Sequence, residues 1–171
     1  MRKIIFRLFW LGVLSLIAAY PVSAAQKVDW EALNPNLRGA TSVGKTSECL
    51  ECHEDYIKAF NATTHGKAYK AKFGKEPGAS CEVCHGPLSN HLAEKDESKK
   101  LSKVISFKSL EPKDKSRICL QCHEKGLNYH WQGSPHQMAG LSCDKCHYVM
   151  AKKSSRQLFI NEDSKKVCFQ C

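Results

Sequence analysis

Cys49-Leu50-Glu51-Cys52-His53 returns in the same form at Cys81-Glu82-Val83-Cys84-His85, Cys119-Leu120-Gln121-Cys122-His123 and Cys143-Asp144-Lys145-Cys146-His147. A fifth copy, Cys168-Phe169-Gln170-Cys171, closes the sequence. All ten cysteines of the 171-residue chain belong to this pattern. Cys-x-x-Cys-His is the attachment signature of c-type haem, in which two thiols form thioethers to the porphyrin vinyl groups and the adjacent imidazole becomes the proximal iron ligand. Cys49, Cys52, Cys81, Cys84, Cys119, Cys122, Cys143, Cys146, Cys168 and Cys171 are therefore the candidate attachment residues for covalent haem c at five sites, with His53, His85, His123 and His147 as proximal ligands. With 8 histidines in 171 residues, His after all four motifs by chance has a probability of roughly five in a million. Structural zinc closes a four-ligand site from paired motifs and has no need of His beside every second Cys. Disulfide frameworks scatter their cysteines to staple distant loops. Both explain less of the pattern than haem does.

The amino terminus carries an export signal by its composition. Arg2, Lys3 and Arg7 form a basic start, residues 8–20 are apolar, and Val22-Ser23-Ala24 offers small residues for a cut before Ala25. The apolar run is shorter than the roughly 20 residues that span a bilayer, so residues 1–24 read as a cleaved signal peptide rather than an anchor. Because haem is joined to exported thiols beyond the inner membrane, signal and motifs agree on the periplasm. Removing residues 1–24 takes the 26 Lys and Arg down by three, to 23, against 17 Asp and Glu. The haem propionates offset much of that surplus, and no interleaving of aromatic and basic residues suggests nucleic acid.

Spacing bounds the fold. The first cysteines of successive motifs lie 32, 38, 24 and 25 residues apart. Segments of that size cannot build ordinary side-chain cores, so the porphyrins are expected to supply the apolar interior, as metals and disulfides do for small domains. The fold class that follows is a multihaem cytochrome c, with little regular secondary structure, short α-helices and loops wrapped around a haem stack, and no substantial sheet. Residues 25–47, broken by Pro35, Gly39 and Gly44, read as a polar lead-in segment, and residues 48–171 as the multihaem domain. Helix-compatible spacing occurs at 55–60 and 68–73, and short helices are expected to start at the proximal histidines. Glu94-Lys95-Asp96-Glu97-Ser98-Lys99-Lys100 reads as a solvated loop or exposed helix.

Four histidines lie outside the motifs. His65, His91 and His136 sit beside turn formers, in loops able to reach across a haem face, and are the candidate distal ligands; His130 is a further candidate. A second imidazole closes both axial positions, keeping iron low-spin and leaving substrate no place to bind.

Cys81-Glu82-Val83-Cys84-His85-Gly86-Pro87-Leu88-Ser89-Asn90-His91, with Ile105-Ser106-Phe107 and residues 131–143 beyond it, resembles the amino-terminal half of the MtrA-type periplasmic decahaem cytochromes, whose relatives include MtoA, PioA and the DmsE type. The resemblance covers roughly residues 44–171. It implies distal ligation by His65, His91 and His136, a longer product with ten haems, and a proximal histidine one position beyond Cys171. It also implies a haem wire seated in an outer-membrane β-barrel porin. Periplasmic cytochromes or a quinol-oxidising inner-membrane cytochrome would stand on one side, and an outer-surface multihaem cytochrome or extracellular iron or other metal on the other. One departure concerns the fourth motif. Family members often place a second His three residues past it, where this chain has Met150. Either Met150 ligates that haem, raising its potential, or His130 fills the position while Met150 packs.

The expected function is electron transfer without catalysis. The competing class, a multihaem nitrite or hydroxylamine reductase, needs an iron with an open position, often marked by Cys-x-x-Cys-Lys, and no such motif is present.

Overall fold

The computed structural model describes residues 27–124, 130–156 and 158–171. The signal expected at 1–24 lies outside the described residues. Short helices joined by loops make up the described residues: α1 (Trp30–Leu33), α2 (Cys49–Asn61), α3 (Thr64–Phe73), α4 (Gly78–His85), α5 (Ser89–Ala93), α6 (Glu97–Lys100), α7 (Pro112–His123), α8 (Pro135–Met138) and α9 (Ser164–Cys168). Single 3-10 turns occur at Pro35–Leu37, Leu101–Lys103 and Cys143–Lys145. Among the described residues no sheet forms, and His147 and Phe159 share an isolated antiparallel bridge. The expected architecture of short helices and loops is borne out. Among the same residues, no helix is long and apolar enough to cross a membrane.

Polar side chains set the helix starts by satisfying backbone N–H groups that have no partner inside the helix. Asp29 accepts from Ala32 at 3.0 Å, Thr63 from Gly66 at 3.0 Å, Ser134 from Gln137 at 3.2 Å and Asp163 from Lys165 at 2.9 Å. Pro112 and Pro135 occupy first-turn positions where a missing N–H costs nothing.

Helix placement departs from expectation in the second and third motifs, where α4 and α7 end on His85 and His123 instead of starting there. In the first motif α2 breaks at His53 (φ −123°, ψ 25°), and its longer part starts from that histidine as expected. For α4 the cause is Gly86. It adopts φ +76°, a conformation that costs glycine little, and its N–H reaches back to the Glu82 carbonyl at 3.1 Å. A side chain there would also press on Leu37, Ile105 and Trp30, each 3.2–3.3 Å from an ideal Cβ.

Val28, Leu37, Ile105 and Ile118 are buried together, with Trp30, Leu33, Ala40, Cys84, Phe107 and Leu110 packed against them. The polar lead-in thus contributes Val28 and Leu37 to this cluster. Asn34 fastens it by donating to the Ser102 and Val104 carbonyls at 2.8 and 3.0 Å. The charged run forms the exposed helix α6, with ion pairs Lys99–Asp96 and Lys100–Glu97 one turn apart.

Candidate haem-binding site

The motifs are joined to one another through their own residues. In the second motif, Glu82 gathers the lead-in: its carboxylate accepts from the backbone of Val43 (2.7 Å), Leu88 (3.1 Å) and Gly44 (3.3 Å) and from the Ser42 hydroxyl. Gln121 of the third motif donates to the Val83 carbonyl of the second at 3.5 Å. Asp144 of the fourth pairs with Lys115 on α7 at 3.2 Å, with the lysine side chain only 13% exposed. Gln170 of the fifth donates to the Lys145 carbonyl of the fourth at 3.0 Å.

The thiols follow the same order. All ten are free. Cys81 and Cys49 share a hydrogen bond, Cys84 lies within electrostatic reach of Cys122, Cys119 and Cys143 share another hydrogen bond, and Cys146 lies within reach of Cys168 and Cys171. Contact therefore passes from first motif to second, third, fourth and fifth. Burial pushes the Cys81 thiol up to about 12 and Cys84 up to about 11. The hydrogen bond between Cys119 and Cys143 lowers Cys143 and, together with burial, raises Cys119. The Ser116 hydroxyl lies 3.8 Å from the Cys143 sulfur. Tyr69, on α3, donates to Cys84 and feels the charges of Cys84, Cys122 and Cys119; burial is the main cause that raises its phenol.

The histidines are held for a particular chemistry. His85 Nδ1 lies 2.8 Å from the Ile105 carbonyl, and His91 Nδ1 lies 3.0 Å from the Lys100 carbonyl. Because a carbonyl can only accept, Nδ1 carries the proton and Nε2 keeps its lone pair in the neutral ring, the arrangement of a metal-ligating imidazole. Burial lowers the pKa of His85, partly opposed by the Ile105 contact. His65 is lowered by burial and then by the charges of His123 and His147. Its Nδ1 is buried with no hydrogen-bond partner, and its Nε2 lies 3.5 Å from His123 Nε2.

His65 stands at the start of α3 because Thr63 caps that helix and Gly66 lets α2 and α3 meet closely. An ideal Cβ on Gly66 would fall 2.1 Å from the Phe60 carbonyl oxygen. The rings of His53 and His91 have centroids 6.2 Å apart and planes 18° apart; those of His65 and His123 are 5.7 Å and 67° apart. The ring of His85 meets Phe107, and that of His147 lies against Phe159 at 5.1 Å. Of the other candidates, His130 and His136 are exposed and Met150 is half-buried.

The donors suit haem. Free thiols come in pairs three residues apart, and half-buried imidazoles stand among them, one with a buried ring nitrogen that has no hydrogen-bond partner. Among the described residues no three His, Cys, Asp or Glu side chains converge to hold a bare metal ion. A family model described as cytochrome c554 and c-prime matches residues 23–86 and 89–148. The chain belongs to the cytochrome c554 and c-prime family. Membership makes covalent haem c the cofactor of this cytochrome, and electron transfer the work of its class. It is similar to multiheme cytochrome MtrA of Shewanella baltica (strain OS185), 29% identical over 128 residues, or 72% of this chain and 36% of the relative. This cytochrome thus spans about a third of that relative's length. No solved structure matches it.

Sequence reading found the cysteines and histidines but passed over Glu82, Gln121, Asp144 and Gln170. Their only signal was polar character inside the motifs, which the attachment chemistry does not use.

Proposed function

We propose that this chain is an exported, periplasmic electron relay. It would take electrons from periplasmic cytochromes or a quinol-oxidising inner-membrane cytochrome and pass them toward an outer-membrane porin conduit, for the oxidation or reduction of extracellular iron or other metal. The observation that carries the relay is the contact of each motif with the next in sequence order. The similarity to multiheme cytochrome MtrA supports the conduit.

Cys49 and Cys52, Cys81 and Cys84, Cys119 and Cys122, Cys143 and Cys146, and Cys168 and Cys171 would hold five haems, with ten in the complete product. His53, His85, His123 and His147 would be proximal ligands; His65, His91 and His136 distal ones, with His130 or Met150 beside the fourth site. When bound, haem supplies the one-electron ferric–ferrous couple of its iron. The polypeptide does the rest. Ile105 and Lys100 orient His85 and His91 through their carbonyls, Phe107 and Phe159 flank His85 and His147, and Gln121 and Gln170 keep successive motifs adjacent.

Exposing the reduced, haem-loaded chain to carbon monoxide tests the relay against the reductase. Iron closed by two side chains leaves the spectrum unchanged. A carbon monoxide complex formed at once by a five-coordinate haem would favour a catalytic centre. Co-purification of the chain with an outer-membrane β-barrel would support the conduit, and isolation as a soluble periplasmic carrier without one would count against it.

A further inference from the structure

Order along the chain suggests that each distal histidine serves the motif just before it: His65 the first, His91 the second. The geometry points elsewhere. We propose that His91 is the axial partner of His53 at the first motif and His65 the axial partner of His123 at the third, so that the ligands cross between segments. The inference rests on the haem-binding reading above and adds to it which residues act together.

Three observations carry the assignment. Two metal–imidazole bonds of about 2 Å each, with ring nitrogens about 1 Å from their ring centres, place imidazole centroids about 6 Å apart across one metal. The His53–His91 and His65–His123 separations, 6.2 and 5.7 Å, are of that size. For His91, His65 and His123 the nitrogens are also turned correctly. His91 has its Nδ1 on the Lys100 carbonyl and so keeps Nε2 for a metal, and the Nε2 atoms of His65 and His123 face one another at 3.5 Å. Finally, the ring contact of His91 is with His53, whereas the ring of His85 meets Phe107 at 6.2 Å and 70°.

The crossing has a structural origin. The backbone of α2 kinks at His53, while Ser89 and Thr41 exchange hydrogen bonds (2.9 and 3.2 Å) that seat α5, which carries His91. The close α2–α3 junction at Gly66 sends His65 toward the end of α7, where His123 lies.

The two pairs also differ in ring orientation, which gives a readout independent of electron-transfer activity. In oxidised low-spin haem, nearly parallel axial imidazoles give a resolved rhombic electron paramagnetic resonance signal, and nearly perpendicular ones a single, highly anisotropic signal. With planes 18° apart, His53 and His91 belong to the first kind; with planes 67° apart, His65 and His123 belong to the second.

The test uses the full haem-loaded chain, unmodified and as His91→Ala and His65→Ala, with Soret absorbance as the measure of haem content. His91→Ala should lose one haem's share of rhombic signal, and His65→Ala one share of the anisotropic signal, each gaining a high-spin haem. Adding Cys49→Ala with Cys52→Ala should abolish the new high-spin signal of His91→Ala, whereas Cys119→Ala with Cys122→Ala should leave it. For His65→Ala the dependence should reverse. A high-spin signal that survives loss of its assigned motif, or a variant that stays wholly low-spin, overturns the pairing.

Should a histidine variant fail to mature, the cysteine variants decide alone. Loss of the first motif must remove rhombic intensity and loss of the third anisotropic intensity, and the opposite pattern overturns the proposal. Soret absorbance retained with the wrong assignment sinks only the pairing; a preparation without Soret absorbance sinks the haem reading itself.

Discussion

Glu82 shows how much one side chain between two attachment cysteines can hold. Its carboxylate receives the backbone N–H groups of Val43, Gly44 and Leu88, and Glu82→Ala would strand them. Leaving these part-buried donors without acceptors costs up to about 1–3 kcal/mol, so the haem-loaded variant should melt earlier while keeping its Soret absorbance. Loss of haem instead would mean that Glu82 acts in attachment. Gly66 offers a second test at this scale. The Cβ of Gly66→Ala would meet backbone atoms at 2.1 and 2.7 Å, which cannot rotate away. Overpacking of this sort costs about 1–3 kcal/mol, and it should displace His65. Optical spectra of Gly66→Ala should therefore show a fraction of high-spin haem; a wholly low-spin spectrum would show that the junction does not position the ligand.

At the scale of elements, the cluster of Val28, Leu37, Ile105 and Ile118 ties α1, the lead-in and α7 to the second motif. Ile105 is 1% exposed, and Ile105→Ala should lower stability by about 2–5 kcal/mol in thermal or denaturant unfolding of the haem-loaded chain. Phe169→Ala, at a side chain 83% exposed, should change it by no more than about 0.5 kcal/mol. Equal effects would place the core elsewhere. These elements were only partly legible in the sequence. Short helices and the lack of a sheet could be read from the turn formers and the absence of alternation. That α4 and α7 end on His85 and His123 could not, because it depends on Gly86 closing a helix against Leu37, Ile105 and Trp30. Nor does spacing show that Val28 and Leu37 lie inside, or that His91 meets His53 rather than His85: both follow from long-range contacts, such as those of Asn34 and Thr41, that leave no periodic trace.

For the molecule as a whole, the buried apolar side chains among the described residues are few: Val28, Leu37, Cys49, Ile57, Leu88, Ile105, Ile118 and Val167. So small an interior cannot offset the conformational entropy of ordering the chain, about 1–2 kcal/mol per residue for the backbone. Chain made without haem should therefore lack a cooperative thermal transition by circular dichroism. A sharp transition in the haem-free chain would show that side chains alone suffice. A last consequence lies in the polar residues inside the motifs. Glu82, Gln121, Asp144 and Gln170 each grip an earlier stretch of polypeptide, so the two letters that the attachment signature leaves blank work as an address. Copies that are interchangeable for joining a porphyrin are not interchangeable in position, and shuffling them would scramble who stands next to whom while leaving every thioether possible.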